Sequence, residues 1–167
     1  VLDYAILVIS GTDGVQSHTE TIWKLLERYH VPVFLFVNKM DLAGADAATV
    51  LSQLQQRLSN RCMDFSDDGT DAFYERTALL DEAWMEHFLE HGCLSREQLS
   101  KGIASRRLIP CYFGSALKLE GVDAFLNGLH QYTLSLPYPE QFGARIFKIA
   151  ADEKGNRLSY LKITGGT

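Results

Sequence analysis

The residues best placed to do chemistry in this chain are Asn38-Lys39-Met40-Asp41, which follow directly on the apolar run Val33-Phe34-Leu35-Phe36-Val37. A carboxylate such as Asp41 has two oxygens and can accept two adjacent donors from one edge of a ligand. A ligand lacking that donor pair would leave the carboxylate desolvated and unpaired, which is how a polar site rejects the wrong partner. The stem of Lys39 can lie along the face of a flat ligand. Asn38, held back at the strand end, can tie neighbouring loops together without touching a ligand. Taken alone, the four residues also suit a plain strand-to-loop exit whose polar groups are solvated.

The positioning elements follow from periodicity. Five large apolar residues without polar alternation, 33–37, predict a strand buried on both faces of a parallel sheet, and such sheets bind ligands at the carboxyl ends of their strands. Tyr4-Ala5-Ile6-Leu7-Val8-Ile9 predicts a second strand, closed by the turn cluster Ser10-Gly11-Thr12-Asp13-Gly14. Ser17-His18-Thr19-Glu20 has capping-box spacing and opens a helix with Ile22, Leu25, Leu26 and Tyr29 on one stripe, ending before Val31-Pro32. Strand, helix, strand is a βαβ unit with a right-handed crossover. Beyond the motif, a helix from about Asp46 turns Val50, Leu51, Leu54 and Leu58 inward. Residues 60–77 change character, with Ser66-Asp67-Asp68-Gly69-Thr70-Asp71 a polar loop or flexible insertion, and 78–105 read as a helical hairpin. Its first helix carries Leu80, Trp84 and Phe88 and stops at Gly92; its second opens on the staple and capping box of Leu94, Ser95, Gln98 and Leu99.

Leu108 to Phe113 predicts a third strand, and Pro110, which cannot donate to a ladder, is expected to put it at the sheet edge. It runs into Gly114-Ser115-Ala116-Leu117-Lys118 and then a helix with Val122, Phe125, Leu126, Leu129 and Tyr132 inward. Residues 137–142, with Pro137 and Pro139, read as a linker. The period then changes to two. Arg145–Ile149 and Leu158–Ile163 alternate around the turn Asp152-Glu153-Lys154-Gly155-Asn156, a hairpin that would open an all-β domain.

Composition narrows the classes. The 167 residues are 46% hydrophobic with a formal net charge of −5, which argues against a free-standing nucleic-acid-binding domain. Cys62, Cys93 and Cys111 are odd in number and match no metal-ligand spacing, as expected of reduced cytoplasmic thiols. No apolar stretch reaches transmembrane length, so no membrane partner is expected. The chain has no initiator Met and opens almost at once into a strand, which reads as a cut inside a larger protein.

Asn38-Lys39-Met40-Asp41 resembles the N-K-x-D guanine-recognition motif of GTP-binding proteins. Guanine offers two adjacent donors, its ring N–H and its amine; adenine does not. In those proteins the next strand ends in an S-A-[KL] loop whose backbone N–H groups receive the guanine carbonyl oxygen, and Ser115-Ala116-Leu117 stands in that position. Together with Asp13-Gly14-Val15-Gln16, Gly114-Ser115-Ala116-Leu117 and Phe147-Lys148-Ile149, the order resembles that of translational GTPases of the elongation factor G type. Asn156-Arg157-Leu158-Ser159-Tyr160-Leu161 is most similar to the tetracycline-resistance ribosomal protection branch.

The resemblance covers essentially the whole chain. It implies an α/β fold: the C-terminal half of a P-loop-type G domain, a parallel three-strand portion with helices, over 1–136. A helical insertion would span about 60–105, and residues 143–167 would form the first hairpin of an all-β barrel domain. It further implies GTP or GDP bound through Asn38, Lys39, Asp41, Ser115, Ala116 and Leu117, the ribosome as partner, and GTP hydrolysis by the parent protein. The alternatives are another elongation-factor-G-like or release-factor GTPase, or a non-nucleotide α/β interaction module.

The sequence lacks G-x-x-x-x-G-K-[ST]. D-x-x-G occurs at Asp41–Gly44 and Asp152–Gly155, but the family places that magnesium motif before N-K-x-D, so both are decoys and the parent's Mg2+ ligands are expected elsewhere. His18 is expected to be a solvated helix-start residue with no catalytic role. Losing translational and rotational freedom costs about 4–15 kcal/mol, more than a base pocket alone is expected to repay. These 167 residues alone are therefore expected neither to hydrolyse nor measurably to bind GTP. The edge of strand 4–9 is expected to be unpaired and to lead to self-association or to a disordered N-terminus.

Overall fold

Val33–Asn38 (β2) is the strand on which the sheet is built, and all five of its apolar residues are buried. Alternate side chains leave opposite faces of a strand. Val33, Leu35 and Val37 enter a core with Leu7, Ile9, Trp23, Leu26, Val50, Leu54, Ile109 and Cys111. Phe34 and Phe36 enter a second core with Phe65, Phe73, Trp84, Leu99, Ile103, Tyr112, Phe125 and Tyr132. Fully burying a side chain of this size stabilises by about 1.5–3 kcal/mol. The strand therefore anchors both layers at once.

The computed structural model describes residues 2–135 and 138–166, so Pro137, named above, lies outside the described residues. The element order is β1 (Ala5–Ser10), α1 (Ser17–Arg28), β2, α2 (Ala47–Arg57), β3 (Cys62–Asp64), α3 (Asp71–Ala78), α4 (Glu82–His91), α5 (Arg96–Ala104), β4 (Ile109–Phe113), α6 (Val122–Tyr132), β5 (Gly143–Ala151) and β6 (Arg157–Gly165). The first four strands form one parallel sheet in the order β1-β2-β4-β3. The chain divides into two compact units, Tyr4–Leu134 and the pair of segments Val1–Asp3 and Ser135–Thr167. In the second unit β5 and β6 pair antiparallel. Their turn is closed by Asp152, whose carboxylate accepts from the Lys154 and Asn156 amides at 2.9 and 2.8 Å. The α/β class and the trailing hairpin are as expected.

Several local expectations need correction. Among the described residues the sheet portion has four strands, not three, because Cys62–Asp64, given no element by the sequence pattern, pairs with β4; α3 begins at the end of the polar run. Pro110 is not in an edge strand: β4 lies between β2 and β3. Ile109 donates to Arg61 O and Cys111 O accepts from Phe65 N, both at 3.0 Å, so these two residues face β3. Pro110, one residue out of phase, faces β2, and pairing with β2 begins only at Leu35–Cys111. Its missing N–H falls just short of that ladder.

The capping box at Ser17 does not form. Gln16 is the N-cap without a side-chain bond, and Glu20 pairs instead with Arg57 at 2.8 Å. On the same helix Leu25 and Tyr29 are exposed, while Trp23 is buried under the Arg106 guanidinium, 4.7 Å from its ring. Leu126 of α6 is likewise exposed. The second box forms as read. Ser95 Oγ accepts from Gln98 N at 3.2 Å, Gln98 Oε1 accepts from Ser95 N at 2.8 Å, and Leu94 and Leu99 are both buried. Asp46 caps α2 through Thr49 N at 2.8 Å, and α4 stops at Gly92 in the left-handed conformation.

Candidate functional site

Parallel neighbours end side by side, so the loops leaving β2 and β4 must meet. They are sewn together by backbone bonds: Gly114 N donates to Val37 O at 2.9 Å and Met40 N to Gly114 O at 3.0 Å. Asn38 adds a side-chain bond. Its Oδ1 accepts from Lys39 N at 2.8 Å and from Ala116 N at 2.9 Å, joining the two predicted sets across 78 residues. The first of these bonds holds Lys39 in the left-handed region, φ 66°, a conformation costing a residue with a Cβ roughly 1–2 kcal/mol. That turn leaves the Lys39 side chain exposed.

The β4 loop closes on itself. Ser115 N donates to Glu120 O at 2.9 Å and Glu120 N to Ser115 O at 3.1 Å, so residues 116–119 form a tight tip. Gly114 is required there: a Cβ would stand 2.1 Å from Glu120 O. Ser115 is buried, whereas Leu117 on the tip is 90% exposed.

Asp41 lies between the two loops with a side chain only 10% exposed. The Ser115 hydroxyl, followed by a backbone hydrogen bond and the charge of Lys118, holds its carboxyl below the usual carboxylate range against the opposing effect of burial. Ser115 Oγ in turn accepts from Lys118 N at 3.3 Å, which leaves its O–H to donate to Asp41. Lys118 Nζ stands 3.6 Å from Asp41 Oδ2. The result is an ionised, oriented carboxylate beside a run of backbone N–H groups, on rigid supports.

The structure thus brings Asn38, Lys39, Asp41, Ser115, Ala116 and Leu117 to one end of the sheet. Two features were not legible beforehand. Lys118 is part of the cluster through its pair with Asp41, though its adjacency to Ser115-Ala116-Leu117 was the available signal. The Ala116 N–H already serves Asn38, so an incoming carbonyl would share that donor or draw on the Leu117 amide. His18 is exposed at the start of α1, as expected. Asp152–Gly155 is only the hairpin turn.

The model of the elongation factor Tu GTP-binding domain family matches residues 1–135. The chain belongs to that family. Its resemblance to translational GTPases is therefore borne out, and the strand tips described above are those of a GTP-binding domain of this family. An oxytetracycline resistance protein of Streptomyces rimosus is 31% identical over 194 aligned positions, covering 100% of this chain and 29% of that protein. The chain accordingly spans less than a third of that relative's length. A crystal structure of a protein from Thermus thermophilus superposes with a TM-score of 0.76 at 19% identity, covering 98% of this chain and 32% of that one. That likeness speaks to the fold. Among the described residues no helix is long and apolar enough to cross a membrane, and no group of three or more His, Cys, Asp or Glu could hold a metal ion.

Proposed function

We propose that Tyr4–Leu134 is the base-recognition part of a GTP-binding domain, and that the longer protein hydrolyses GTP as a switch on the ribosome, in the manner of the ribosomal protection branch. The observation that carries this is the Asp41 carboxylate, ionised by Ser115 and Lys118 beside the Asn38–Ala116 joint. Asp41 would accept the guanine ring N–H and amine. Ala116 and Leu117 would face the guanine carbonyl oxygen, and the stem of Lys39 would lie along the base. Asn38 would hold the two loops in register. The name of the Streptomyces rimosus relative supports the resistance branch, with tetracycline dislodged from the ribosome and the protein working in the cytoplasm.

The donor set fits a guanine nucleotide, GTP or GDP. It does not supply a magnesium site, so the ligands for Mg2+ and the phosphate groups would come from residues beyond these. For the domain organisation we propose a G-domain portion up to about residue 136 and the opening of a β-barrel domain over 143–167. The test is Asp41→Asn in the full-length protein. An amide presents a donor where the guanine amine also donates, so GTP affinity should fall on the order of 100-fold or more while xanthosine triphosphate gains. Unchanged GTP binding with no gain for xanthosine triphosphate would overturn the assignment and favour an interaction module.

A further inference from the structure

Outside the candidate nucleotide site, one pair of side chains has the spacing of a ligand set. His87 and His91 lie one helical turn apart on α4, and their rings stack with centroids 4.1 Å apart and planes 18° from parallel. Positions i and i+4 of a helix share a face, the arrangement by which a helix presents two imidazoles to one ion. His91 Nδ1 stands 3.0 Å from His87 O. A carbonyl can only accept, so Nδ1 carries the proton and the lone pair of His91 is left on Nε2, directed away from the backbone. This is the outer hydrogen bond that fixes tautomer and ring direction in metal-ligating histidines.

We propose that His87 and His91 form a two-point site for a divalent transition ion, Cu2+, Ni2+ or Zn2+, with water completing the coordination. Imidazole nitrogen suits these ions, and oxygen-seeking Mg2+ or Ca2+ would not be held. The surroundings favour a cation: α4 carries Glu82, Glu86 and Glu90 and no Lys or Arg. Glu90 Oε2 lies 3.9 Å from His91 Nδ1. The rings lie face to face, and His91 is held by its bond to His87 O, so it is the His87 ring that must turn to bring a nitrogen onto the ion at His91 Nε2. The His91 side chain is 54% exposed, and His87 is half-buried. The spelling His87-Phe88-Leu89-Glu90-His91 is also that of a zinc-peptidase helix. With no third ligand among the described residues, the site is a clamp on the last turn of α4, without a hydrolytic role.

Titration of the 167-residue chain, free of any tag, with Ni2+ or Cu2+ tests this by calorimetry and absorbance. The expected result is one saturable ion per chain and a metal-dependent rise in melting temperature. Both are lost in His87→Gln and in His91→Gln, and both are kept in His18→Gln and Cys93→Ser. His18, His91 and Cys93 are exposed and His87 is half-buried, and the metal-free melt checks that each variant is folded. Binding that survives the double His87→Gln, His91→Gln change, binding lost in Cys93→Ser, or no saturation by wild type at submillimolar metal would each overturn the proposal.

Discussion

Asn38→Ala tests the joint between the two strand tips without touching a titratable group. Asn38 Oδ1 accepts two backbone amides, Lys39 N at 2.8 Å and Ala116 N at 2.9 Å. A net contribution of about 0.5–1.5 kcal/mol per bond puts the loss at roughly 1–3 kcal/mol, confined to the two loops. The backbone bonds from Gly114 N and Met40 N remain. Native-state amide exchange reads the change residue by residue. The Ala116 amide should exchange roughly 2- to 13-fold faster, the range equivalent to about 0.5–1.5 kcal/mol for one bond. Lys39 should accelerate as well, since nothing then holds it in the left-handed region. Amides in the middle of β2, such as Leu35, should keep their rates. Asn38→Asp retains an acceptor at Oδ and should protect Ala116 almost as well as wild type. An unchanged Ala116 rate in the alanine variant, or equal losses in the alanine and aspartate variants, would refute the claim that this side chain is the tie.

Other parts of the structure make independent predictions. The Asp41 carboxyl, followed by carbon-detected NMR, should titrate below the ordinary value of about 3.9. Ser115→Ala should raise it, and Lys118→Met should raise it less. A depressed pKa contributes stability that is fully present above the unfolded value and lost as pH falls through the folded one, so wild type should lose more stability than Ser115→Ala on acidification below pH 4. Gly128→Ala would place a Cβ 1.9 Å from Tyr112 Oη, a buried hydroxyl with no hydrogen-bond partner among the described residues. Overpacking of about 1–3 kcal/mol should outweigh the helix-propensity gain of about 1 kcal/mol in a urea melt, and adding Tyr112→Phe should recover only part of the loss, because the new Cβ would still stand 2.5 Å from the ring Cζ. β1 pairs only with β2 among the described residues, and Ile6 and Val8 are about half exposed. Light scattering should therefore find the chain self-associating, and Val8→Lys should reduce that association; a monodisperse wild type would contradict the edge argument.

The central strand and the motif after it were legible because one residue pattern sufficed. Five consecutive apolar residues need two apolar layers, and both layers are there. The short β3 was hidden for the opposite reason. Cys62-Met63-Asp64 is too short to show a period, and the polar run that follows it masks α3 as well. Pro110 misled because a rule about ladders was applied to a whole strand, although it governs only the side to which that one nitrogen points. Two sequences with the same capping spacing behaved differently. Ser95 starts its helix as N-cap, with Leu94 and Leu99 buried to fix the entry angle, whereas Ser17 is already inside α1 and Glu20 is drawn to Arg57. Spacing proposes a box, and tertiary partners decide whether its residues are free to form it.

The strand-end positions of the candidate residues were legible, and their wiring was not. Residues 38–41 and 115–117 could be placed at strand ends, but only the strand order reveals that β2 and β4 are direct neighbours in the sheet while β3, which comes between them in sequence, lies outside. That order brings Asn38 to Ala116. It also brings Lys118 to Asp41, a contact between residues 77 positions apart that no local pattern encodes. The pair has a consequence for binding. A carboxylate held by an ammonium and a hydroxyl keeps its charge and its direction, so under the proposed function a base with two donors would meet an acceptor already in place. It would have to displace Lys118 from one oxygen. Lys118→Met should accordingly weaken the salt dependence of base binding in the full-length protein, whereas Ser115→Ala, which frees the carboxylate to rotate, should weaken the binding itself. Equal effects of the two changes at every salt concentration would mean that the loops act only as a scaffold and that neither side chain orients Asp41.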